Sequence, residues 1–308
     1  MKRDNKFKCL PLVILLIVVT TLPLVLESEY LLLVTDMGAA IALVVLGLVV
    51  LTGFTGLLSL GQVAFYALGA YTSAVLSTRL GISPWIGLLA ACVMGGIWGI
   101  IIGLPAFNLR EPFLVMVTIG FAEIVRIMAL NLQSITGGPF GISHIPQLEL
   151  LGVSISKPLL FYYFILTLVT LCILGVNRLR SSRIGRAMVA IRDDEVAAEI
   201  MGVNVRRYKV MSFAISALLA SLGGAFYAHL TSYIVIDLFS FNESASYLTM
   251  AVLGGFNTIG SALVSVVLTL LPELLRALKD YYMLFFSLVL MILVVFVAWR
   301  EFKASMDK

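Results

Sequence analysis

The chain has 308 residues, of which 61% are hydrophobic and only 12% are charged, about half the charged share of a soluble domain. With roughly 20 apolar residues per bilayer crossing, the length is consumed by membrane spans, which excludes a separate soluble catalytic domain. The formal charge of +4 would point to nucleic acid in a soluble protein, but here the basic residues flank apolar runs, where they set orientation, and no nucleic-acid partner is expected.

In chain order, Lys2, Arg3, Lys6 and Lys8 precede an apolar run at 9–26. The run ends Leu-Val-Leu-Glu-Ser-Glu, without the small-residue cleavage site of a secretory signal, and is expected to stay as a first span. Further runs predict spans at 30–52, 62–78, 84–104, 113–131, 158–177, 210–230, 244–258, 260–275 and 281–299. Gly254, Gly255 and Gly260 break the stretch 244–275, which can instead form one hairpin that never fully crosses. The expectation is an all-α, polytopic transmembrane helical bundle of about ten spans, or eight, in a single domain over 1–308.

Placing the N-terminus inside puts sixteen Lys and Arg on the cytoplasmic side, eight of them between Arg178 and Lys209. Outside there are four: Arg79, Lys157, Arg276 and Lys279. That asymmetry follows the positive-inside rule and predicts cytoplasmic termini and a multi-pass protein of the plasma (inner) membrane.

The run GFTGLLSLG at 53–61 sets three glycines and two hydroxyls beside a span. Irregular backbone survives in a bilayer only where protein buries it or a polar cavity adjoins it, and broken helices often mark transport sites. Thr55, Ser59 and Gln62 are therefore candidate pathway residues. The equal alternative is that Gly53, Gly56 and Gly61 only let helices approach. Glu123 and Arg126 form an oppositely charged i,i+3 pair inside a span. One ionised side chain there costs on the order of 3 kcal/mol, so the pair must face protein or water, as part of a gate or as a clamp at a subunit interface. Residues Thr136, Gly137, Gly138 and Pro139 are expected to form an external turn.

The polar segment 178–209 is the predicted cytoplasmic loop. Asp193 can act as an N-cap, Asp194 and Glu195 then occupy the first turn, and Gly202 ends the helix. This predicts a helix of about eight residues, roughly 12 Å long, with the small pair Ala197 and Ala198 as a close-packing face. The plain alternative is a solvated connector.

This loop is similar to that of importer permeases, in which Glu-Ala-Ala is followed after three residues by Gly. Here Val196, Ala197 and Ala198 are followed three residues later by Gly202, with the acid at Glu195. Three other blocks match the same group in the same order: LTGFTGLLSLGQVAFYALGAYTSAVL at 51–76, FLVMVTIGFAEIVRIMALNLQSITGGPFGI at 113–142 and SYLTMAVLGGFNTIGSALVSVVLTLLPELLR at 246–276. On these residues the chain resembles the permease subunits of ABC importers for branched-chain amino acids, the LivM-like group. It departs from that pattern after Gly260, where Ser261 and Ala262 follow with no proline, and in the ending WREFKASMDK. The resemblance implies two ATP-binding subunits, a second homologous permease subunit and an extracytoplasmic solute-binding protein. It also implies coupling to the ATPase through Gly185, Asp193, Asp194, Glu195, Ala197, Ala198 and Gly202.

No Gly-x-x-x-x-Gly-Lys-Ser/Thr run is present, so the chain is expected to be no enzyme, with ATP hydrolysed by partners. His144 and His229 are the only histidines, and no metal or cofactor is expected. Ser59 with His229 could be forced into an intramembrane hydrolase, but the Gly-x-Ser-x-Gly elbow is missing. Cys9, Cys92 and Cys172 lie in or beside apolar runs, as small hydrophobes. The alternative function is a stand-alone channel or an ion-coupled secondary transporter, in which Glu123 and Asp36 would bind the coupling ion.

Overall fold

The computed structural model describes residues 28–106, 109, 111–150, 153–154, 158–275 and 291. The predicted first span at 9–26 and, apart from Met291, the last span at 281–299 lie outside the described residues. The helices are α1 (Glu29–Leu48, continued by a π-helical turn Val49–Phe54), α2 (Gln62–Arg79), α3 (Pro84–Ala106), α4 (Glu111–Asn131), α5 (Gln133–Thr136) and α6 (Pro158–Ser181). They continue as α7 (Arg183–Asp193), α8 (Glu195–Ile200), α9 (Val205–Thr231), α10 (Phe241–Leu253) and α11 (Thr258–Leu275).

Among the described residues, five segments are long and apolar enough to cross a bilayer: Glu29–Phe54, Pro84–Pro105, Pro112–Asn131, Leu159–Ser181 and Val205–Thr231. With this set the chain is a multi-pass, helical membrane protein. The stretch predicted as two spans or a hairpin is a hairpin with unequal arms. Its first arm, α10, has 13 residues, about 20 Å of helix, too short for a hydrocarbon core of about 30 Å.

The long helix α9 lies at the centre, and small residues let its neighbours approach it. Gly95, Gly99 and Gly103 repeat every four residues along the face of α3 that meets α9. A Cβ on Gly99 would come within 2.7 Å of the Phe213 carbonyl oxygen, and one on Gly95 within 2.7 Å of that of Ala217. On an adjoining face of α9, Gly69 of α2 lies against the Ser221 backbone, and Gly224 against that of Tyr66. Association of helices in lipid relies on such backbone proximity because burying apolar surface gains nothing there. The interior then fills with Val45, Leu48, Phe65, Tyr66, Ala220 and Tyr247, while Val93, Ile97 and Ile101 of α3 and Met116, Ile124 and Met128 of α4 stay exposed.

The end of the bundle away from the α6–α7 junction is closed by short irregular pieces. Ile142 and Ser143 pair antiparallel with Ile234 and Tyr233, and Glu149–Leu150 pairs with Val153–Ser154. Thr136, Gly137, Gly138 and Pro139 run from α5 into a single 3₁₀ turn, Gly138–Phe140, just before this ladder. His229, near the end of α9, fastens the cap. Its Nδ1 lies 2.7 Å from the Pro146 carbonyl oxygen and its Nε2 lies 2.7 Å from the Ser73 hydroxyl. A carbonyl can only accept, so Nδ1 carries the proton and Nε2 accepts from Ser73. Ser59 is not brought to this histidine; its hydroxyl accepts the Gly61 amide at 3.3 Å, which removes the pairing that a hydrolase needs.

Candidate functional site

Two helices begin inside the bundle instead of at its ends. The chain leaves α1 through the π turn and folds back through 55–61. At the start of α2, the Gln62 side chain reaches Val44, ten residues before the end of that turn. From the opposite end, the chain descends after α9 so that Phe239 packs against the rings of Tyr66 and Tyr71. α10 then starts beside α2, with the Ser244 hydroxyl accepting the Val63 amide at 3.1 Å. Each helix start leaves backbone N–H groups without helical partners, and here they meet away from both ends of the bundle.

The predicted pathway residues of this region are all buried. Gln62 Nε2 donates to the Ser216 hydroxyl at 2.9 Å and lies 3.3 Å from the Ser216 carbonyl oxygen, while its Oε1 has no partner. A Cβ on Gly47 would come within 2.7 Å of Gln62 Nε2, so glycine makes the room. Thr55 donates to the Leu51 carbonyl, and its hydroxyl lies 3.3 Å from that of Ser212. The glycines do allow close contact: a Cβ on Gly61 would meet the Thr118 carbonyl at 2.6 Å, and one on Gly53 would meet Phe256 at 3.1 Å. Ser212 and Ser216, four apart on α9, were not singled out from sequence; their i,i+4 spacing on an apolar helix is the signal that could have found them.

Glu123 and Arg126 of α4 are paired, Arg126 Nε donating to a Glu123 carboxylate oxygen at 2.9 Å, with 41% and 36% of their side chains exposed. The pair lines an open cavity of about 200 Å³ together with Asp237, Ser240, Phe241 and Asn242, at the start of α10.

At the other end, α6 turns sharply into α7. The Ser182 side chain caps α7 by accepting the Gly185 amide, and a Cβ on Gly185 would collide with the Leu179 carbonyl and the Arg180 backbone, so Gly185 makes the elbow possible. The expected cap is displaced by one residue. Asp193 is the last residue of α7, and Asp194, at φ −160, caps α8 by accepting the Ala197 amide at 2.9 Å. Only α7 leaves its carboxyl end there for a new start, and this leaves α8 six residues instead of about eight. Gly202, at φ +85, ends it. The Gly202 amide bonds to Glu199 and the Val203 amide to Ala198, the paired pattern of a glycine-terminated helix.

The two alanines do not share a face. Ala197 is exposed, but Ala198 is buried against Ile191 and Val205 of the same chain. The exposed apolar surface of α8 and its C-cap is instead Val196, Ile200 and Met201, at 67%, 80% and 83%. Two contacts anchor this elbow to the bundle. Arg192 donates to the Gly53 carbonyl at 2.6 Å, at the end of the π turn, and Glu195 holds Lys209 of α9. Among the described residues, no group of acids, histidines and cysteines could hold a metal.

The sequence matches the family described as branched-chain amino acid transport system / permease component over residues 30–295. It is 37% identical over 279 residues to the high-affinity branched-chain amino acid transport permease LivM of Escherichia coli K12, covering 83% of this chain and 65% of that protein. The chain therefore spans about two thirds of that relative's length. It is 25% identical to the E. coli K12 permease LivH over 85% of this chain and 90% of LivH. It is 26% identical to the autoinducer 2 import permease LsrC of Enterobacter sp. strain 638 over 78% of this chain and 65% of LsrC. No solved structure matches. A match that runs from the start of α1 beyond the end of α11, and so takes in both the interior helix starts and the elbow, establishes that the chain belongs to the branched-chain amino acid transport permease family.

Proposed function

We propose that the chain is a transmembrane permease subunit of an ATP-binding-cassette importer, translocating branched-chain or related amino acids across the plasma membrane. Two ATP-binding subunits hydrolyse ATP on its behalf, a second homologous permease completes the pathway, and an extracytoplasmic protein delivers the solute. About ten crossings, or eight where the hairpin at 244–275 does not span, and cytoplasmic termini complete the topology. The clustering of Arg178, Arg180, Arg183, Arg186, Arg192, Arg206, Arg207 and Lys209 around the elbow, with Arg79 at the other end of α2, supports that orientation.

The attachment of the elbow carries this reading. α8 and its C-cap offer Val196, Ile200 and Met201 outward, and through Arg192 at the end of α7 and Glu195 at the start of α8 this elbow is tied to the π turn before the interior start of α2 and to the central helix α9. A push on α8 is thereby delivered to the segment that holds Thr55, Ser59 and Gln62, a two-state mechanical linkage rather than chemistry. The relatives named as permeases favour this over a stand-alone channel or ion-coupled transporter.

The test is a photo-crosslinking amino acid at Ile200 in the assembled transporter, together with Ile200→Asp and Met201→Asp. Crosslinking to the ATP-binding subunit, and loss of its co-purification in the aspartates with normal membrane insertion, is the expected result. No crosslink and intact complexes in both variants would make α8 a passive connector.

A further inference from the structure

The cavity beside the Glu123–Arg126 pair contains groups that this pair does not neutralise. Arg126 uses Nε on Glu123, and its two Nη groups make no hydrogen bond among the described residues. Asp237 forms no ion pair among the described residues and lies on the same cavity wall. Ser240, Phe241 and Asn242 add the start of α10, where no side chain caps the helix and the amides of Phe241 and Asn242 lack helical partners, while the Glu243 amide bonds to the Ser240 carbonyl. A guanidinium and free amides thus share a space of about 200 Å³ with an unpaired carboxylate and one exposed aromatic ring. That volume is below the roughly 300–1,000 Å³ of drug-sized ligand sites and admits only a small solute. The charges lie past the middle of α4, where they cannot face lipid without a penalty of about 3 kcal/mol, so a polar occupant or water must adjoin them.

We propose that this cavity is a transient binding site for a zwitterionic α-amino acid. The Arg126 Nη groups and the first amides of α10 take the carboxylate, Asp237 takes the ammonium, and an apolar side chain lies against Phe241. Planar guanidinium pairing with a carboxylate is the strong, directional half of this recognition. Glu123 tempers it: by occupying Nε it offsets part of the positive charge, so the carboxylate is attracted but not trapped, as a conducting site requires. The proposal deepens the permease reading and rests on it.

The experiment uses the complete transporter in proteoliposomes, with Cys9→Ala, Cys92→Ala and Cys172→Ala, and Asn242→Cys as the reporter. A small charged methanethiosulfonate should modify the introduced thiol, and millimolar leucine should slow that modification several-fold. Leucinamide, which lacks the carboxylate, and isocaproate, which lacks the amine, should not. Arg126→Gln and Asp237→Asn should each raise the half-protecting leucine concentration by about tenfold or more, as expected for a lost charged hydrogen bond. An unreactive thiol, absent protection, equal protection by all three compounds, or unchanged half-protection in both charge variants would overturn the site. If a charge variant fails to assemble, the three-compound comparison on Asn242→Cys alone decides. Uptake by the unsubstituted complex is measured in parallel: its absence would count against the permease reading itself, whereas uptake without selective protection counts only against this site.

Discussion

Lys209 Nζ lies 2.7 Å from each carboxylate oxygen of Glu195, and the two partners sit in different surroundings. The Lys209 side chain is only 5% exposed and that of Glu195 49%. The ammonium is therefore committed to the interior, and the carboxylate reaches in from the surface to meet it. Glu195→Gln should leave a buried charge with weaker acceptors and destabilise the α8–α9 junction by about 1.5–3 kcal/mol, toward the lower end because water reaches Glu195. Replacing both partners, Glu195→Leu with Lys209→Met, should recover most of that loss, since paired burial is replaced by apolar packing. Thermal unfolding of the purified transporter, read as a double-mutant cycle, checks this; an unchanged melting temperature in Glu195→Gln would show the contact to be energetically idle.

Ala197 and Ala198 should separate in their effects. Ala198 packs on Ile191 and Val205, so Ala198→Trp should overpack the elbow, at a cost of about 1–3 kcal/mol, and lower expression and stability. Ala197 is exposed, so Ala197→Trp should fold normally and change only what docks on α8. Expression level and melting temperature, set beside co-purification of the ATP-binding subunit, distinguish the two. Equal stability of both variants would contradict the buried placement of Ala198.

Gly202 sits at φ +85 with open space around its missing Cβ, so strain and not crowding decides its substitutions. Gly202→Asn should be tolerated, because asparagine enters the left-handed region with modest cost, whereas Gly202→Val should disrupt the end of α8. Gly185 is the opposite case: its Cβ has no space, so Gly185→Ala should already impair the elbow. Limited proteolysis between α7 and α9 is the readout, with protection in Gly202→Asn and cleavage in the other two.

The Ser73–His229–Pro146 chain should behave as a structural tie. Ser73→Ala leaves His229 Nε2 buried without its 2.7 Å partner and should cost about 1–3 kcal/mol. Hydrogen exchange of the 142–146 segment, next to the Pro146 carbonyl that His229 holds, should speed up in this variant. No change there would show that the cap is held by the Ile142–Ile234 pairing alone.

The spans were legible because bilayer thickness imposes long apolar runs: the predicted 84–104 and 113–131 each differ from α3 and α4 by two residues at one end and coincide at the other. The elbow was only half legible. Two adjacent aspartates are equally good caps, and the choice of Asp194 is made by where α7 ends. α7 falls within the polar segment 178–209 that reads as a loop, although Ile184, Met188 and Ile191 carry the i,i+4,i+7 apolar signal of an amphipathic helix. The cavity had no local signature at all, since Asp237 and Asn242 are more than a hundred residues from Glu123 and are brought there by the chain's descent into the bundle. The Arg192 contact was equally hidden, because its acceptor is the backbone of Gly53 and a carbonyl leaves no mark in a sequence.

In the proposed function this chain moves amino acids with energy taken from ATP through the α8 elbow. Its most direct test is leucine uptake by proteoliposomes holding the complete transporter, supplied with binding protein, with ATP either enclosed on the elbow side or replaced by an imposed proton or sodium gradient. Uptake that requires ATP, persists without any ion gradient and disappears in Ile200→Asp is the predicted result. Uptake driven by an ion gradient in the absence of ATP would contradict the account and identify an ion-coupled transporter instead.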